Sequence, residues 1–211
     1  MLVKVCGLTD PREALACAEL GAWAIGMVFA PESTRCVTPA AARAVVDVLP
    51  AEVRKVGIFV DPLPDETAEI VEACGLTDVQ VHGDEVDVAA IRAACARPVV
   101  QGFAISGATS LDAVRRSEAD LVLLDASVPG RHGGTGRTFD WALLEAVELG
   151  RPFALAGGLT PANVTDAIRR VRPAVVDVSS GVERAPGRKD PELVRAFMRG
   201  VRAAAMTGTA A

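Results

Sequence analysis

The sequence predicts a (β/α)8 barrel, an α/β fold in which eight parallel strands form a closed ring surrounded by helices. Short apolar runs alternate with helix-length amphipathic segments along the 211 residues, which is the pattern of repeated strand–helix units. The runs are apolar on both faces, as expected for a parallel sheet covered by helices. An open doubly wound sheet is the alternative, but it usually has a glycine-rich dinucleotide turn after its first strand, where this chain has CGLTDP.

Eight short apolar segments are the predicted strands. No linker rich in Pro, Gly or Ser divides the chain, so we expect a single domain over residues 1–205 and a frayed tail over residues 206–211. The predicted strands lie at residues 2–6, 24–29, 55–60, 78–82, 99–103, 121–125, 153–156 and 175–178.

Four predicted helices begin in the same way, with a capping Asp or Thr followed by proline in the first turn. The missing N–H of proline costs nothing there, because the first N–H groups of a helix have no partner within it. The first of these helices also has Glu13 three residues after its Asp, which resembles a capping box. The four pairs are Asp10-Pro11, Thr38-Pro39, Thr160-Pro161 and Asp190-Pro191.

Composition and charge exclude several classes of protein. Half of the residues are hydrophobic and 23% are charged, which indicates a folded chain. A net charge of −5 provides no broad cationic surface, so we expect neither nucleic acid nor a membrane as the partner. No segment approaches the ~20 apolar residues of a membrane span, and the N-terminus does not resemble a signal peptide. The five cysteines form no CxxC pair, which argues against a zinc site and favours the cytoplasm.

Two candidate catalytic residues stand at predicted strand ends, where such barrels carry their reactive groups. Cys6 ends the first strand just before a helix, whose N-terminal dipole would lower the pKa of the thiol and favour a reactive thiolate. Asp125 ends the sixth strand, after the apolar run 121–124. A thiol and a carboxyl group on opposite sides of a substrate could accept and donate protons. The alternatives are a buried structural cysteine and a carboxylate that caps backbone amides.

The pentapeptide CGLTD occurs twice, at residues 6–10 and 74–78. The second copy differs in context, because Cys74 shares one face of a predicted helix with Thr67 and Val71. We therefore expect Cys74 to be a packing residue without a role in chemistry.

Glycine-rich loops follow the seventh and eighth predicted strands. They read AGGLTP at residues 156–161 and SSGVERAPG at residues 179–187. Both loops can turn backbone N–H groups toward an anion, and this position commonly holds phosphate in such barrels. Ordinary turns that need glycine are the alternative, but the two loops together favour a phosphate site.

Further candidates for substrate contact lie in other loops. Arg35 follows the second strand, where its guanidinium could hold a carboxylate, although a lone loop arginine is often only solvated. His82 ends the fourth strand, and we expect it to line the pocket or to pack against a neighbouring loop. Gly133 and Gly134 belong to a glycine-rich loop that lacks the GKS or GKT of a nucleotide P-loop.

Eight segments, in order and over nearly the whole chain, match one known family. They are KVCGLTDP at 4–11, GMVFAPESTR at 26–35, VGIFVD at 56–61, VQVHGDE at 79–85, LLDA at 123–126, GGTGRTFDW at 133–141, LAGGLTPANV at 155–164 and VDVSSGVERAPGRKD at 176–190. As a set they are highly specific, and with them the chain resembles the phosphoribosylanthranilate isomerases of tryptophan biosynthesis.

This resemblance implies an isomerase that converts N-(5-phosphoribosyl)anthranilate to 1-(2-carboxyphenylamino)-1-deoxyribulose 5-phosphate by an Amadori rearrangement. It implies no metal and no organic cofactor, and it leaves open whether the protein is a monomer or a homodimer. Cys6 would be the general base, Asp125 the general acid and Arg35 the contact to the anthranilate carboxylate. The other expected substrate contacts are His82, Gly133 and Gly134, with Gly157, Gly158, Ser180 and Gly181 in the phosphate loops.

Two other functions remain as alternatives. A histidine-pathway aminoaldose isomerase, or a relative serving both pathways, performs the same rearrangement on a larger substrate with two phosphates. That family resembles this chain in fold but uses Asp where Cys6 stands. The other alternative is a catalytically idle barrel that binds phosphate for partner interaction, and the presence of both Cys6 and Asp125 argues against it.

Overall fold

Parallel pairing of each strand with the next closes the sheet into a barrel, in the order β1 to β8 and back to β1. The computed structural model describes residues 1–84, 86–105, 110–125, 144 and 149–207. Every strand begins and ends within one residue of its predicted segment, so the predicted fold class is confirmed. The strands are β1 (Leu2–Cys6), β2 (Ala24–Val28), β3 (Arg54–Val60), β4 (Asp78–His82), β5 (Val99–Ala104), β6 (Leu121–Asp125), β7 (Phe153–Ala156) and β8 (Val175–Val178).

Helices connect the strands and cover the outside of the barrel. A short 3-10 helix (Ser180–Val182) and a two-stranded hairpin, β9 (Glu183–Ala185) with β10 (Arg188–Lys189), follow β8. Within the described residues, no helix is both long and apolar enough to span a membrane. The described helices are α1 (Pro11–Glu19), α2 (Pro39–Val48), α3 (Pro64–Cys74), α4 (Val88–Cys95), α5 (Ser110–Arg116), α6 (Val164–Val171) and α7 (Pro191–Thr207).

The last helix extends into the tail that the sequence predicted to be frayed. Residues 206 and 207 still belong to α7, and residues 208–211 lie outside the described residues.

Three of the four predicted proline-started helices begin where the sequence places them. Asp10, Thr38 and Asp190 each accept a hydrogen bond from a backbone N–H of the following turn, at 2.8 to 3.2 Å. These bonds satisfy N–H groups that have no partner within the helix. The helices that follow β1, β2 and the hairpin after β8 are therefore fixed at their N-termini by local sequence.

The fourth of these helices, α6, begins later than predicted. Oδ1 of Asn163 accepts a hydrogen bond from the Thr160 N–H at 2.7 Å, and its Nδ2 donates to the Gly158 carbonyl at 2.9 Å. These two bonds hold residues 160–163 in a turn, so that the helix begins only at Val164.

The two faces of the strands differ more than the sequence predicted. The outer face, under the helices, is apolar as expected, and Val5 and Val176 are wholly buried there. The inner face also carries polar side chains, because Lys4, Gln80 and Asp177 are at most 7% exposed. The barrel therefore contains buried charge directly below its strand ends.

The two copies of CGLTD have different structures, as predicted. Cys74 is wholly buried at the end of α3, where its thiol lies 3.4 Å from the Pro39 carbonyl. Gly75 ends that helix in the left-handed conformation, with φ 69°. Cys6 is instead only half buried and is the last residue of β1.

Replacing Cys74 by serine should affect stability and leave turnover unchanged. Cys74→Ser places a hydroxyl in an apolar site where one acceptor, the Pro39 carbonyl, is in reach, so we expect a loss of about 1 to 2 kcal/mol in the free energy of unfolding. Denaturant unfolding and steady-state kinetics of the same preparation measure the two effects. A selective loss of turnover with unchanged stability would contradict the packing role of Cys74.

Candidate active site

The C-terminal ends of the strands bring the two predicted catalytic residues to one rim of the barrel. Cys6 is the last residue of β1 and Asp125 the last residue of β6, with β7 and β8 between them around the ring. Both side chains are partly exposed. A small molecule in the barrel mouth could therefore contact the thiol from one side and the carboxyl group from the other.

The Cys6 sulfur occupies a confined space next to β2. A Cβ added at Gly26 would lie only 3.0 Å from Sγ of Cys6, so glycine in β2 provides the room for the sulfur. Burial raises the pKa of the Cys6 thiol above its ordinary value, and Asp177 raises it further, whereas Lys4 and Lys189 act in the opposite direction. The predicted lowering of the thiol pKa is therefore wrong, because removal from water outweighs the neighbouring positive charges.

A buried ion pair lies inside the barrel below Cys6. Nζ of Lys4 donates to Oδ2 of Asp177 at 2.8 Å, and the two side chains are only 6% and 7% exposed. Burial alone would lower the pKa of Lys4, but Asp177 and Cys6 together raise it above its ordinary value, so that Lys4 keeps its charge. Oδ1 of Asp177 is buried and has no hydrogen-bond partner among the described residues.

Arg35 is held by a carboxylate of the protein itself. Its Nε donates to Oε1 of Glu183 at 2.8 Å and its Nη2 donates to Oε2 at 2.6 Å. The stem of the arginine lies across Gly7, where a Cβ would collide with it. Within the part of the chain that the structure describes, Nη1 of Arg35 donates no hydrogen bond. The edge formed by Nη1 and Nη2 can therefore still take a second carboxylate.

Glu183 joins Arg35 to a second buried cation, Lys189. Nζ of Lys189 donates to Oε1 of Glu183 at 2.7 Å and to the Ser179 carbonyl at 3.2 Å. Burial alone would raise the pKa of Glu183, but the hydrogen bonds from Arg35 and Lys189 hold it below its ordinary value. Sequence reasoning did not single out Glu183 or Lys189, and their position in the family-matching segment 176–190 was the only signal for them.

Glu13 fixes the hairpin after β8 over this network instead of completing the predicted capping box. Its carboxylate accepts hydrogen bonds from the Lys189 N–H at 2.8 Å, from Nε of Arg188 at 2.9 Å and from Nη2 of Arg184 at 2.8 Å. The first helix therefore holds the hairpin that carries Glu183, and this contact links the two ends of the chain at the site.

His82 ends β4 as predicted and packs against β5. Its ring lies over Gly102, where a Cβ would overlap the imidazole. Nε2 of Gln80 is 2.8 Å from Nε2 of the ring and, as an amide nitrogen, donates to it. Burial lowers the pKa of His82, and the charge of Asp125 opposes this only in part. His82 is therefore a neutral group near neutral pH.

The two predicted phosphate loops lie against each other. Gly157 and Gly158 have φ 86° and 63°, the left-handed region that favours glycine. Gly181 comes so close to the Leu159 carbonyl that any Cβ would collide with it. Within the described residues, the backbone N–H groups of Gly158, Ser180 and Gly181 donate no hydrogen bond to a backbone carbonyl. Groups of this kind can bind phosphate oxygens.

Two predicted substrate contacts cannot be placed in this site. Gly133 and Gly134 lie outside the described residues, and their role stays a prediction.

Among the residues that the structure describes, no three His, Cys, Asp or Glu side chains form a group that could hold a metal ion.

The fold and the rim together define a class of protein, the (β/α)8 barrel enzymes whose reactive groups follow the parallel strands. The model of one protein family, described as N-(5'phosphoribosyl)anthranilate (PRA) isomerase, matches residues 3–200. The chain belongs to this family.

Individual relatives are similar over almost their whole length. The N-(5'-phosphoribosyl)anthranilate isomerase of Trichlorobacter lovleyi is 44% identical over 203 residues, which cover 96% of this chain and 98% of that protein. The crystal structure of phosphoribosyl anthranilate isomerase from Thermotoga maritima has a TM-score of 0.88 and 38% identity, and covers 96% of this chain and 100% of its own. A crystal structure of a phosphoribosyl anthranilate isomerase in complex with reduced 1-(o-carboxyphenylamino)-1-deoxyribulose 5-phosphate has a TM-score of 0.83 and 36% identity, and covers 96% of this chain and 100% of its own.

The Glu183 network generates a pH-dependent prediction. Glu183→Gln leaves Arg35 and Lys189 without their shared anion, so we expect a loss of about 2 to 4 kcal/mol in the free energy of unfolding at neutral pH. Because the folded-state pKa of Glu183 is lowered, the stability it contributes is complete above its ordinary value of 4.5 and is lost as the pH falls through the lower value.

Urea unfolding at neutral pH and at pH about 3.5 tests this sign. The difference in the free energy of unfolding between Glu183→Gln and the unmodified protein should be smaller at the lower pH. Glu192→Gln is the matched control, because Glu192 pairs with Arg195 on an exposed surface, and it should change the stability little. An equal difference at both pH values would contradict the proposed ionic role of Glu183.

Proposed function

We propose that this protein catalyses the rearrangement of N-(5'-phosphoribosyl)anthranilate to 1-(o-carboxyphenylamino)-1-deoxyribulose 5-phosphate in tryptophan biosynthesis. The observation that carries the proposal is the presence of a thiol, Cys6, and a carboxyl group, Asp125, on one rim of a family barrel. The phosphate loop after β8 adjoins the end of β1, because Oγ of Ser179 donates to the Cys6 carbonyl at 3.1 Å. A family structure that holds the reduced product supports the same substrate class.

Asp125 is the general acid in the first step. It protonates the furanose ring oxygen, and the bond between this oxygen and C1' breaks. The electron pair of the anthranilate nitrogen forms the C1'–N double bond of a protonated Schiff base, and the ring is open. A carboxyl group at the end of β6 can reach a substrate in the barrel mouth, because that strand end faces the rim.

Cys6 is the general base in the second step. Its thiolate removes the proton from C2', and the electrons of that C–H bond form the C1'–C2' double bond, while the C1'–N electrons return to nitrogen. The resulting enolamine tautomerises to the ketone. Because burial raises the pKa of the Cys6 thiol, nearby cations must stabilise the thiolate. Lys4 and Lys189 do so, since the charge of each lowers the pKa of the thiol.

The two ends of the substrate have binding partners of matching chemistry. The Nη1–Nη2 edge of Arg35 holds the anthranilate carboxylate in a bidentate, charge-assisted pair. The N–H groups of Gly158, Ser180 and Gly181 bind the phosphate. His82 would contact the substrate as a neutral group, and Gly157 would complete the turn of the phosphate loop.

Cytoplasmic location is part of the same proposal. All five cysteines are free thiols, which suits a reducing compartment. A thiol base also requires such a compartment, since Cys6 is inactive as a base once oxidised.

Removing the acid or the base should abolish most turnover and leave product binding largely intact. We expect Asp125→Asn and Cys6→Ser each to lower kcat by at least about 100-fold. Consumption of N-(5'-phosphoribosyl)anthranilate is followed by its fluorescence. The affinity for the product is measured by titration. Cys74→Ser is the matched control for Cys6→Ser, because it makes the same change in the second copy of CGLTD. Near-normal turnover in either active-site variant would refute its assigned role.

Substrate choice depends on Arg35. Arg35→Lys keeps the charge but loses the planar fork, so we expect binding to weaken by about 1 to 3 kcal/mol, mainly as a higher KM. Arg54→Lys is the matched control, because Arg54 pairs bidentately with Asp78 at the opposite end of the barrel. Its KM should not change.

The same assay, run with both substrates, distinguishes the proposed function from the histidine-pathway alternative. The unmodified protein should turn over the one-phosphate anthranilate substrate and show little turnover of the two-phosphate aminoaldose. An unchanged KM for Arg35→Lys would contradict the carboxylate contact, and robust turnover of the two-phosphate substrate would favour a dual-pathway enzyme.

A further inference from the structure

The buried pair of Lys4 and Asp177 has no evident role in stability. Both side chains are nearly inaccessible and their charged atoms are 2.8 Å apart. The free-energy cost of removing two charges from water often exceeds the free energy gained from their attraction. A hydrophobic pair of similar size would therefore stabilise a barrel core equally well. The position of the pair is therefore better explained by what it contacts.

Lys4 and the candidate base share the inner face of one strand. Lys4 and Cys6 are two residues apart on β1, so their side chains point to the same face, into the barrel. The Lys4 ammonium, bonded to Asp177 at 2.8 Å, lies close enough to Cys6 for its charge to lower the pKa of the thiol. On the other side of the sulfur, the backbone at Gly26 leaves no further room. The sulfur thus lies against the backbone of β2, on the inner face that it shares with Lys4.

We propose that Lys4 is a positioning residue for the reaction, which holds the Cys6 sulfur at the barrel mouth and supplies the positive charge that stabilises its thiolate. Asp177 keeps Lys4 oriented and protonated. The inference rests on the proposed function of Cys6 as the base, and it adds the group that makes a buried thiol usable as one.

Among the described residues, four charged groups act on Cys6, and Lys4 is the one best placed to stabilise its thiolate. Lys4 lies on β1 itself, Asp177 on β8, Lys189 on β10 and Arg35 in the loop after β2. Arg35 and Lys189 both donate to Glu183 and are oriented by that carboxylate. Lys4 has a larger effect on the thiol pKa than Lys189, and it lies on the same strand face as Cys6.

The charge on Lys4 is stable, so Lys4 does not itself exchange the proton. Its pKa is raised by Asp177 and by Cys6 against the effect of burial, whereas the pKa of the Cys6 thiol is raised mainly by burial. Of the two groups, the thiol is the one that gains and loses a proton in the proposed reaction. The ammonium is a fixed charge that favours the ionised form of its neighbour.

Alkylation of Cys6 measures the ionisation of the thiol without any substrate. The rate of reaction with iodoacetamide is followed across pH in a Cys36→Ser background, because Cys36 is exposed whereas Cys17, Cys74 and Cys95 are buried. We expect Lys4→Met to shift the alkylation profile upward by about one pH unit, an approximately tenfold slower reaction at neutral pH. Lys4→Arg keeps the charge and should lie close to the unmodified protein.

The isomerase assay provides the second readout. Lys4→Met should lower kcat at neutral pH, recover part of it at higher pH and leave KM nearly unchanged. Lys55→Met is the matched control, because Lys55 is also a buried strand lysine but donates to the Pro50 and Ala51 carbonyls, away from Cys6. It should affect stability without moving either pH profile.

A second variant is needed in case Lys4→Met fails to fold. Lys4→Met leaves Asp177 as an unpaired buried carboxylate, so Lys4→Met/Asp177→Asn is made as well, and melting temperatures are compared. This double variant should still be alkylated more slowly than the unmodified protein. An unchanged alkylation profile in whichever of the two variants folds would overturn the role of Lys4. A shifted profile together with no isomerase activity in the unmodified protein would instead overturn the proposed function and leave the effect of Lys4 on the thiol standing.

Discussion

Closure of the sheet by the pairing of β1 with β8 is the interaction on which the site depends. Residues 2–5 align in parallel with residues 175–178, and this register places Lys4 opposite Asp177. The same closure lets Oγ of Ser179 donate to the carbonyl of Cys6. Groups that lie 173 residues apart in the chain thereby become neighbours. A thiol at the end of the first strand acquires its charged surroundings only when the last strand is in place.

The inner face of the barrel is where this fold departs from a purely apolar core. Small residues in neighbouring strands make room for polar ones, as Gly26 does for the sulfur of Cys6 and Gly102 for the ring of His82. Alternation along a strand then decides which side chains share the interior. The strand sequences therefore encode two things at once, an apolar outer face that packs under the helices and an inner face that prepares the chemistry of the rim.

The sequence was sufficient for the fold because that signal is local and repeated. Apolar runs located each strand, and Asp10, Thr38 and Asp190 marked helix starts through contacts within one turn. The partners of the site are different, because Arg35 and Glu183 are 148 residues apart and no spacing rule connects them. The pKa of the Cys6 thiol was misjudged for the same reason. A helix dipole can be read from neighbouring residues, whereas burial results from the whole barrel.

The charges around the thiol also explain why the phosphate is assigned to backbone groups. Among the described residues that act on Cys6, three cations, Lys4, Arg35 and Lys189, share the carboxylates of Asp177 and Glu183. Ionisation of the thiol supplies a third negative charge and makes this set neutral. A phosphate bound by the same cations would compete with the thiolate for them and would raise the pKa of the base further. In the proposed function the phosphate is bound by N–H groups of the loops after β7 and β8, and this removes that competition, because backbone dipoles hold the anion and leave Lys4 and Lys189 to the thiolate.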